Sequence, residues 1–359
     1  MTYFDELIEH LLGQVQVDQT TITESKARRT AVLDAAASFD GVLRTYRSGS
    51  LAYGTAITPP PNKATDKDVD GDGGVVLNRK VWTTLGPDAD QADGARDVVR
   101  QVQDHMRPIL RETYGDDLTV GSTVKRAILV RFNTPLETGE DPPVELVVAL
   151  NRKAGALWIP NLDTDGWDPA DPVTHSRLIN DDPTKALRLR RARIVRLVKH
   201  WNKKHTQAAF SSFHLQALAL EVIDETDVGC QLRTTLQRFF EKAATSLADR
   251  MTEDPAGVSG KFHLENDISR DLAVTRLENA ATAIATANGN ADDEEAVREE
   301  LEKVFHRDTV EAAEDSRESR ALSTGNRSAA YGAAGMVGIR IRNDRPAATK
   351  NPAAWAREG

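Results

Sequence analysis

A single cysteine, Cys230, stands in 359 residues. One thiol excludes an internal disulfide and any zinc site built on cysteine pairs, and it fits a reducing compartment. No apolar run approaches the ~20 residues that a membrane helix needs. The first six residues, Met-Thr-Tyr-Phe-Asp-Glu, lack the basic start and apolar core of a signal peptide. A soluble, cytoplasmic protein with no membrane partner is the expectation. Basic residues are outnumbered, 46 against 55 acidic, for a formal net charge of −9. That balance argues against a protein that coats nucleic acid, and no stable nucleic-acid binding is expected, although a local basic groove is compatible with it. The chain has neither Gly-x-Gly-x-x-Gly nor Gly-x4-Gly-Lys-Ser/Thr, so Rossmann and P-loop sites lack their fingerprints. It has no internal repeat.

With 40% apolar residues the chain can build a sizeable core, as two domains or one elaborated domain. Phe4, Leu7, Ile8, Leu11 and Leu12 predict a helix over 3–15. A second helix is predicted over 23–38, opening at Thr21 or Thr23 with Glu24 nearby. Strands are predicted over 42–47, 69–77, 127–132 and 144–150, with a helix over 92–113 between them. This mixture suggests an α+β fold, a mixed sheet covered by helices. After about residue 180 the pattern turns helical: 185–205, 212–225, 231–250, 266–288 and 292–306, with a break at Asp254-Pro255. The final ~40 residues are poor in large apolar groups and read as a loosely packed tail.

The most informative stretch is 48–77. Gly49-Ser50 follows a strand, where backbone N–H groups and a hydroxyl can hold phosphate. It also fits an ordinary strand–helix turn with a serine cap. Pro59-Pro60-Pro61 forbids regular structure. Then come Asp66, Asp68, Asp70 and Asp72 ahead of an apolar run. Acids two apart on a strand share one face, and a bound cation relieves their repulsion. Asp68 and Asp70 are the preferred pair, with Glu145, the lone acid within 144–150, as third ligand. Together they suit two Mg²⁺ ions, with Mn²⁺ as a substitute. Calcium is a rival, since Asp66-x-Asp68-x-Asp70-Gly71 opens like an EF-hand loop. The twelfth position is Leu77, however, or Arg79 in the shifted register, where Glu is required. An acidic surface turn is the plainer alternative.

On the 185–205 helix, Leu187, Ile194, Val198 and Trp201 share one face, and Arg188, Arg196, Lys199 and Lys203 the other, as a solvated basic face. His200 and His205 read as surface residues. Taken together, Gly49-Ser50, the Asp68/Asp70 pair and a later acid resemble the polymerase β-type nucleotidyltransferase superfamily. Ile194–Asn202 followed by Phe210-Ser211-Ser212-Phe213 resembles the basic spine helix and the next helix start of the bacterial cGAS/DncV-like nucleotidyltransferases (CD-NTases). Trp167-Asp-Pro169 and Asp254-Pro255 also fit that family, over roughly residues 1–305.

The resemblance implies a polymerase β-like mixed-sheet core with N-terminal helices over 1–180, an oligoadenylate synthase-like helical domain over 181–310 and a flexible tail over 311–359. It implies synthesis of a cyclic di- or trinucleotide second messenger from ATP, GTP or other nucleoside triphosphates, with release of pyrophosphate, in anti-phage (CBASS) defence. A messenger-sensing effector would act downstream. Gly49 and Ser50 would hold the triphosphate, Lys199, Ser211 and Ser212 the donor phosphates, and Asp68, Asp70 and Glu145 the metals. The third acid is Glu where the family more often has Asp. The terminal Gly359, with Trp355 nearby, would suit conjugation by an E1/E2-like ligase; a frayed terminus is the alternative. A protein- or RNA-modifying nucleotidyltransferase (a toxin or tailing enzyme) and a catalytically inactive nucleotide-binding sensor are the other readings.

Overall fold

The computed structural model describes residues 1–58, 69–89, 94–122, 125–153 and 155–333. At its centre lie two parallel strands, β2 (Gly71–Leu77) and β5 (Val144–Asn151), paired residue for residue from Gly71↔Val144 to Leu77↔Leu150. β1 (Val42–Arg47) flanks β2 antiparallel. β4 (Ile128–Arg131) and β3 (Thr119–Ser122) extend the sheet beyond β5, again antiparallel. The far end of β5 pairs with a hairpin of β6 (Leu157–Asn161) and β7 (Gly166–Ala170). The sheet is therefore mixed, in the order β1-β2-β5-β4-β3 with β6 and β7 to one side. β6 and β7, not among the strands expected from sequence, carry Pro160 and Pro169. Both belong to the hairpin at the side of the sheet, where a missing N–H is tolerated.

Alternation along β2 and β5 decides what each face does. Val75, Leu77, Val144, Leu146, Val148 and Leu150 are buried and pack with Val32, Leu33, Val98, Val102 and Met106. Those partners come from α2 (Gln19–Ala37) and α4 (Arg96–Tyr114). α2 starts earlier than expected because Asp18, rather than a threonine, accepts the N–H groups of Thr20 and Thr21. The short α3 (Gly49–Tyr53) follows β1. On the other face, Gly74 leaves room for the Tyr46 ring: a Cβ there would stand 2.4 Å from it.

A second core is helical. It joins α1 (Tyr3–Val15) to α6 (Lys185–Lys204), α7 (Ser212–Val222), α8 (Leu232–Asp249), α9 (Arg270–Gly289) and α10 (Glu294–Val304). The first helix thus packs with the second half of the chain and not with the sheet. A short α5 (Pro172–Ser176) precedes α6. α6 is buried on more than one side, so His200, expected at the surface, is only 2% exposed and lies against Phe305 and His306. Burial, with His306, Lys203 and Lys204 nearby, pushes its imidazole down to about 3.

Met1–Arg317 form one unit and Glu318–Gly359 another. α11 (Arg307–Ala333) is helical where a loose tail is expected from 311. Its first turns are anchored: Tyr3 donates its hydroxyl to Glu314 at 2.9 Å, and Ser316 hydrogen-bonds His10 at 3.0 Å. Trp355 and Gly359 lie outside the described residues. Among those described, no helix is long and apolar enough to cross a membrane.

The Asp254-Pro255 break between α8 and α9 is organised by one carboxylate. Asp254, 4% exposed, accepts the N–H groups of Ala256, Val258 and Ser259, the Ser259 hydroxyl and His175 Nε2. Burial alone would raise this carboxyl, but the donors from Ser259, His175 and Ala256 outweigh it and hold the carboxyl well below the usual range. Replacing Asp254 with Ala leaves these donors unpaired, so a loss of about 2–4 kcal/mol is expected in urea denaturation. A change below ~0.5 kcal/mol, as for an exposed side chain, would show that the break does not depend on this residue.

Candidate functional site

The site is built where β1 hands over to α3 and where β2 begins. Ser48 donates its N–H to the Asp72 carbonyl at 3.2 Å, tying the turn to the strand. Gly49 has φ +73°, and a Cβ added there would stand 1.7 Å from Asp72 Oδ2. Only glycine fits, for conformation and for space. The carboxylate of Asp72 therefore lies directly against the Gly49-Ser50 turn.

A cavity of about 200 Å³ opens at this point, lined by Gly49, Ser50, Tyr53, Thr55, Asp70, Asp72, Lys199, Ser212, Phe213 and Gln216. Its walls come from four separate stretches of chain. Lys199, 6% exposed, donates through Nζ to the Thr55 carbonyl at 3.0 Å, and Arg196 Nε reaches the Gly54 carbonyl at 2.9 Å. Two cations of α6 thus clamp the segment that leaves α3. Lys199 is not on a solvated face as its wheel position suggested. Ser212 opens α7 into the cavity, while the Ser211 side chain is used as that helix's N-cap, accepting from His214 N–H. Ser211 does not line the cavity, whereas Gly49, Ser50, Asp70, Lys199 and Ser212 all do. Asp68 lies outside the described residues.

Asp72 and Glu145 are register partners across the parallel pair, so both project from the face away from α2. Asp70 precedes β2 by one residue. Burial, then Asp70 and then Glu145, pushes the Asp72 carboxyl up to about 8, against the opposing pull of Lys199 and Arg29. Burial also raises Glu145, with Arg131 opposing. Lys199 is pushed down to about 8 by burial and by Lys203, while Asp72 and Asp70 resist the shift. This is a place where negative charge is held at a cost that a bound cation would remove. Among the described residues, however, no three such side chains already converge as a formed metal cluster. Asp72, Tyr53, Thr55, Phe213 and Gln216 were not singled out as ligands from sequence. For the α7 residues a signal existed: Ser212 and Gln216 are one helical turn apart.

Comparison with solved structures follows this geometry. The chain matches the CD-NTase CdnG of Bradyrhizobium diazoefficiens in complex with GTP at TM-score 0.63 and 16% identity, over 86% of this chain and 97% of that one. It matches CdnC of E. coli MS115-1 with ATP at TM-score 0.60 and 17% identity, over 85% and 98%. It matches the Vibrio cholerae cyclic AMP-GMP synthase DncV, a prokaryotic cGAS homolog, at TM-score 0.59 and 13% identity, over 85% and 97%. No sequence-family profile matches the chain, and no curated protein matches it. The fold is that of the bacterial cGAS/DncV-like nucleotidyltransferases, a polymerase β-like mixed sheet with a C-terminal helical region.

The raised Asp72 carboxyl has a measurable consequence without metal. Its folded value exceeds the ordinary 3.8, so the folded state binds the extra proton. That contribution is fully present below about pH 4 and is lost as pH rises toward 8. Asp72→Asn removes the ionisation. In EDTA its melting temperature should match the wild type near pH 4 and exceed it progressively up to pH 8. Parallel pH profiles for the two proteins would contradict the assignment.

Proposed function

We propose that this chain is a nucleotidyltransferase that condenses ribonucleoside triphosphates into a cyclic di- or trinucleotide messenger and releases pyrophosphate. The observation that carries the reading is the meeting of Gly49-Ser50, Asp70, Asp72, Lys199 and Ser212 in one cavity of a CD-NTase fold. These residues lie up to 163 positions apart in sequence (212 − 49).

The acids present fit a divalent cation: Asp72 is costly to ionise alone, and Asp70 and Glu145 add to that cost. Asp70 and Asp72 are the pair we assign to Mg²⁺ or Mn²⁺, with Glu145 on the neighbouring strand as the third acid. Bound there, such ions would activate an attacking hydroxyl and neutralise the charge of the departing pyrophosphate. Asp68, expected from sequence as a ligand, is left without this role in the proposal.

The protein's own residues do the rest. The N–H groups opening α3 and the Ser50 hydroxyl donate to triphosphate oxygens. Ser212 donates from the opposite wall. Lys199, held in place by Thr55, supplies a positive charge that strengthens as an anion arrives, because the triphosphate restores the protonated form that burial disfavours. Phe213 lines the cavity, and its ring is an aromatic surface there on which we propose a base stacks. Positioning the acceptor hydroxyl against the triphosphate is the main catalytic contribution expected of such a site. The anti-phage setting, a downstream effector and conjugation at Gly359 by an E1/E2-like ligase are proposals that rest on the family likeness alone.

The test is a mass spectrum of products formed from all four nucleoside triphosphates with Mg²⁺. Cyclic, phosphatase-resistant products are expected from the wild type. Asp72→Ala should lower turnover by at least ~10³-fold and Lys199→Ala by ~10–100-fold, while Asp68→Ala stays within about threefold. Label transferred to protein or RNA would favour the modifying-enzyme reading, and calorimetric binding without turnover the sensor. Full activity in Asp72→Ala would remove the assigned pair.

A further inference from the structure

At the opposite end of the two central strands lies a second, unrelated cleft. Its volume is about 340 Å³, and Arg79, Lys80, Thr83, Leu85, Asp88, Ala89 and Lys153 line it. Arg79 and Lys80 follow the end of β2, and Lys153 follows the end of β5. Arg79 is seven residues beyond Asp72, roughly 20 Å at the rise of an extended strand. The cleft is therefore separate from the catalytic cavity.

Among the described residues, three cations and one acid line it. Asp88 interacts with the Lys153 and Arg79 charges, but one carboxylate cannot neutralise three cations. Asp88 Oδ2 already accepts the Lys153 N–H at 2.9 Å and Trp158 Nε1–H at 3.1 Å. Those bonds fix the wall of the cleft: they pin the Lys153 backbone to the segment that carries Leu85 and Ala89. The Arg79 backbone is pinned too, its N–H donating to Asn151 Oδ1 at 2.8 Å. Yet the Arg79 side-chain Nε is shut away from solvent and meets no hydrogen-bond partner. A guanidinium N–H held in that way is costly unless a ligand satisfies it. The neighbouring Arg152 is not among the lining residues; it stacks over the Trp158 ring at 4.3 Å. Such a concentration of cations in one cleft is unexpected on a chain of net charge −9.

We propose that this cleft binds a small phosphorylated anion, with Arg79, Lys80 and Lys153 as its ligands. A small anion suits it better than a nucleic-acid strand. The cations converge inside one concave site instead of tracking along a surface, and the acidic remainder of the chain repels a long polyanion. The proposal does not depend on the catalytic reading above.

Inorganic pyrophosphate is the probe, titrated calorimetrically into the full chain in EDTA, with amide hydrogen exchange to locate it. Binding should slow exchange at residues 79–80 and 151–153. The double variant Lys80→Glu/Lys153→Glu alters two exposed side chains and should keep the wild-type melting temperature. It should weaken this binding at least tenfold and abolish the local protection, and 0.5 M salt should weaken the wild type likewise. Protection confined to residues 49–53 and 212–216, or equal binding by the variant, would overturn the proposal. So would protection of 79–80 by an RNA oligonucleotide but not by pyrophosphate.

Discussion

The parallel pairing of β2 with β5 is the constraint on which the site depends. Because Asp72 sits opposite Glu145, both carboxylates leave the sheet on the same side. The same register sends Val75, Leu77, Leu146 and Val148 to the other side, into the core with α2 and α4. A slip of one residue would bury the acids and expose the core, so packing energy fixes the position of the charged groups. The cost of crowding those acids is thereby borne by burial elsewhere in the sheet.

The helical half completes what the sheet begins. Lys199 and Arg196 reach from α6 to the carbonyls of Thr55 and Gly54, and Ser212 enters from α7. The Lys199 and Arg196 contacts tie the helical core to the segment after α3, whose neighbours Leu51 and Ala56 form a small cluster of their own with Val17 and Val69. The cavity is thus walled from the sheet side and from α6 and α7, and a change that loosens the α6 contact alters the phosphate-facing wall without touching an acid. α1 takes part indirectly, since it packs with α6 and closes the helical core from the N-terminal end of the chain.

Much of this was legible in sequence, for physical reasons that can be named. Apolar spacing placed α1, α6 and the central strands, because each buries a continuous face. Gly49-Ser50, which alone fits an ordinary strand–helix turn, stood out through its spacing to the acids, and Ser212 and Lys199 through the family resemblance. The acidic register was harder. Four aspartates alternate from 66 to 72, and periodicity alone cannot choose among them. What places Asp72 is the start of β2, set by the Gly71 N–H bonding the Pro143 carbonyl at 2.9 Å, a contact 72 residues away in sequence (143 − 71). The burial of Lys199 and His200 was hidden for a similar reason. A helix rich in arginine reads as half-solvated, yet here Arg190, Arg191 and Arg196 spend their guanidinium groups on backbone carbonyls of neighbouring segments. The β6–β7 hairpin escaped because its prolines mimic a linker.

The central claim is that the acids at the head of β2 and the Gly49-Ser50 turn together hold a metal-bound triphosphate. The most direct measurement is a crystal structure with a non-hydrolysable nucleoside triphosphate and Mn²⁺, read by anomalous scattering. Anomalous density is expected at Asp70 and Asp72, with triphosphate density against Ser50 and Lys199. Metal bound by Asp66 and Asp68 with Asp72 uninvolved, or a nucleotide seated away from the Gly49-Ser50 turn, would contradict it.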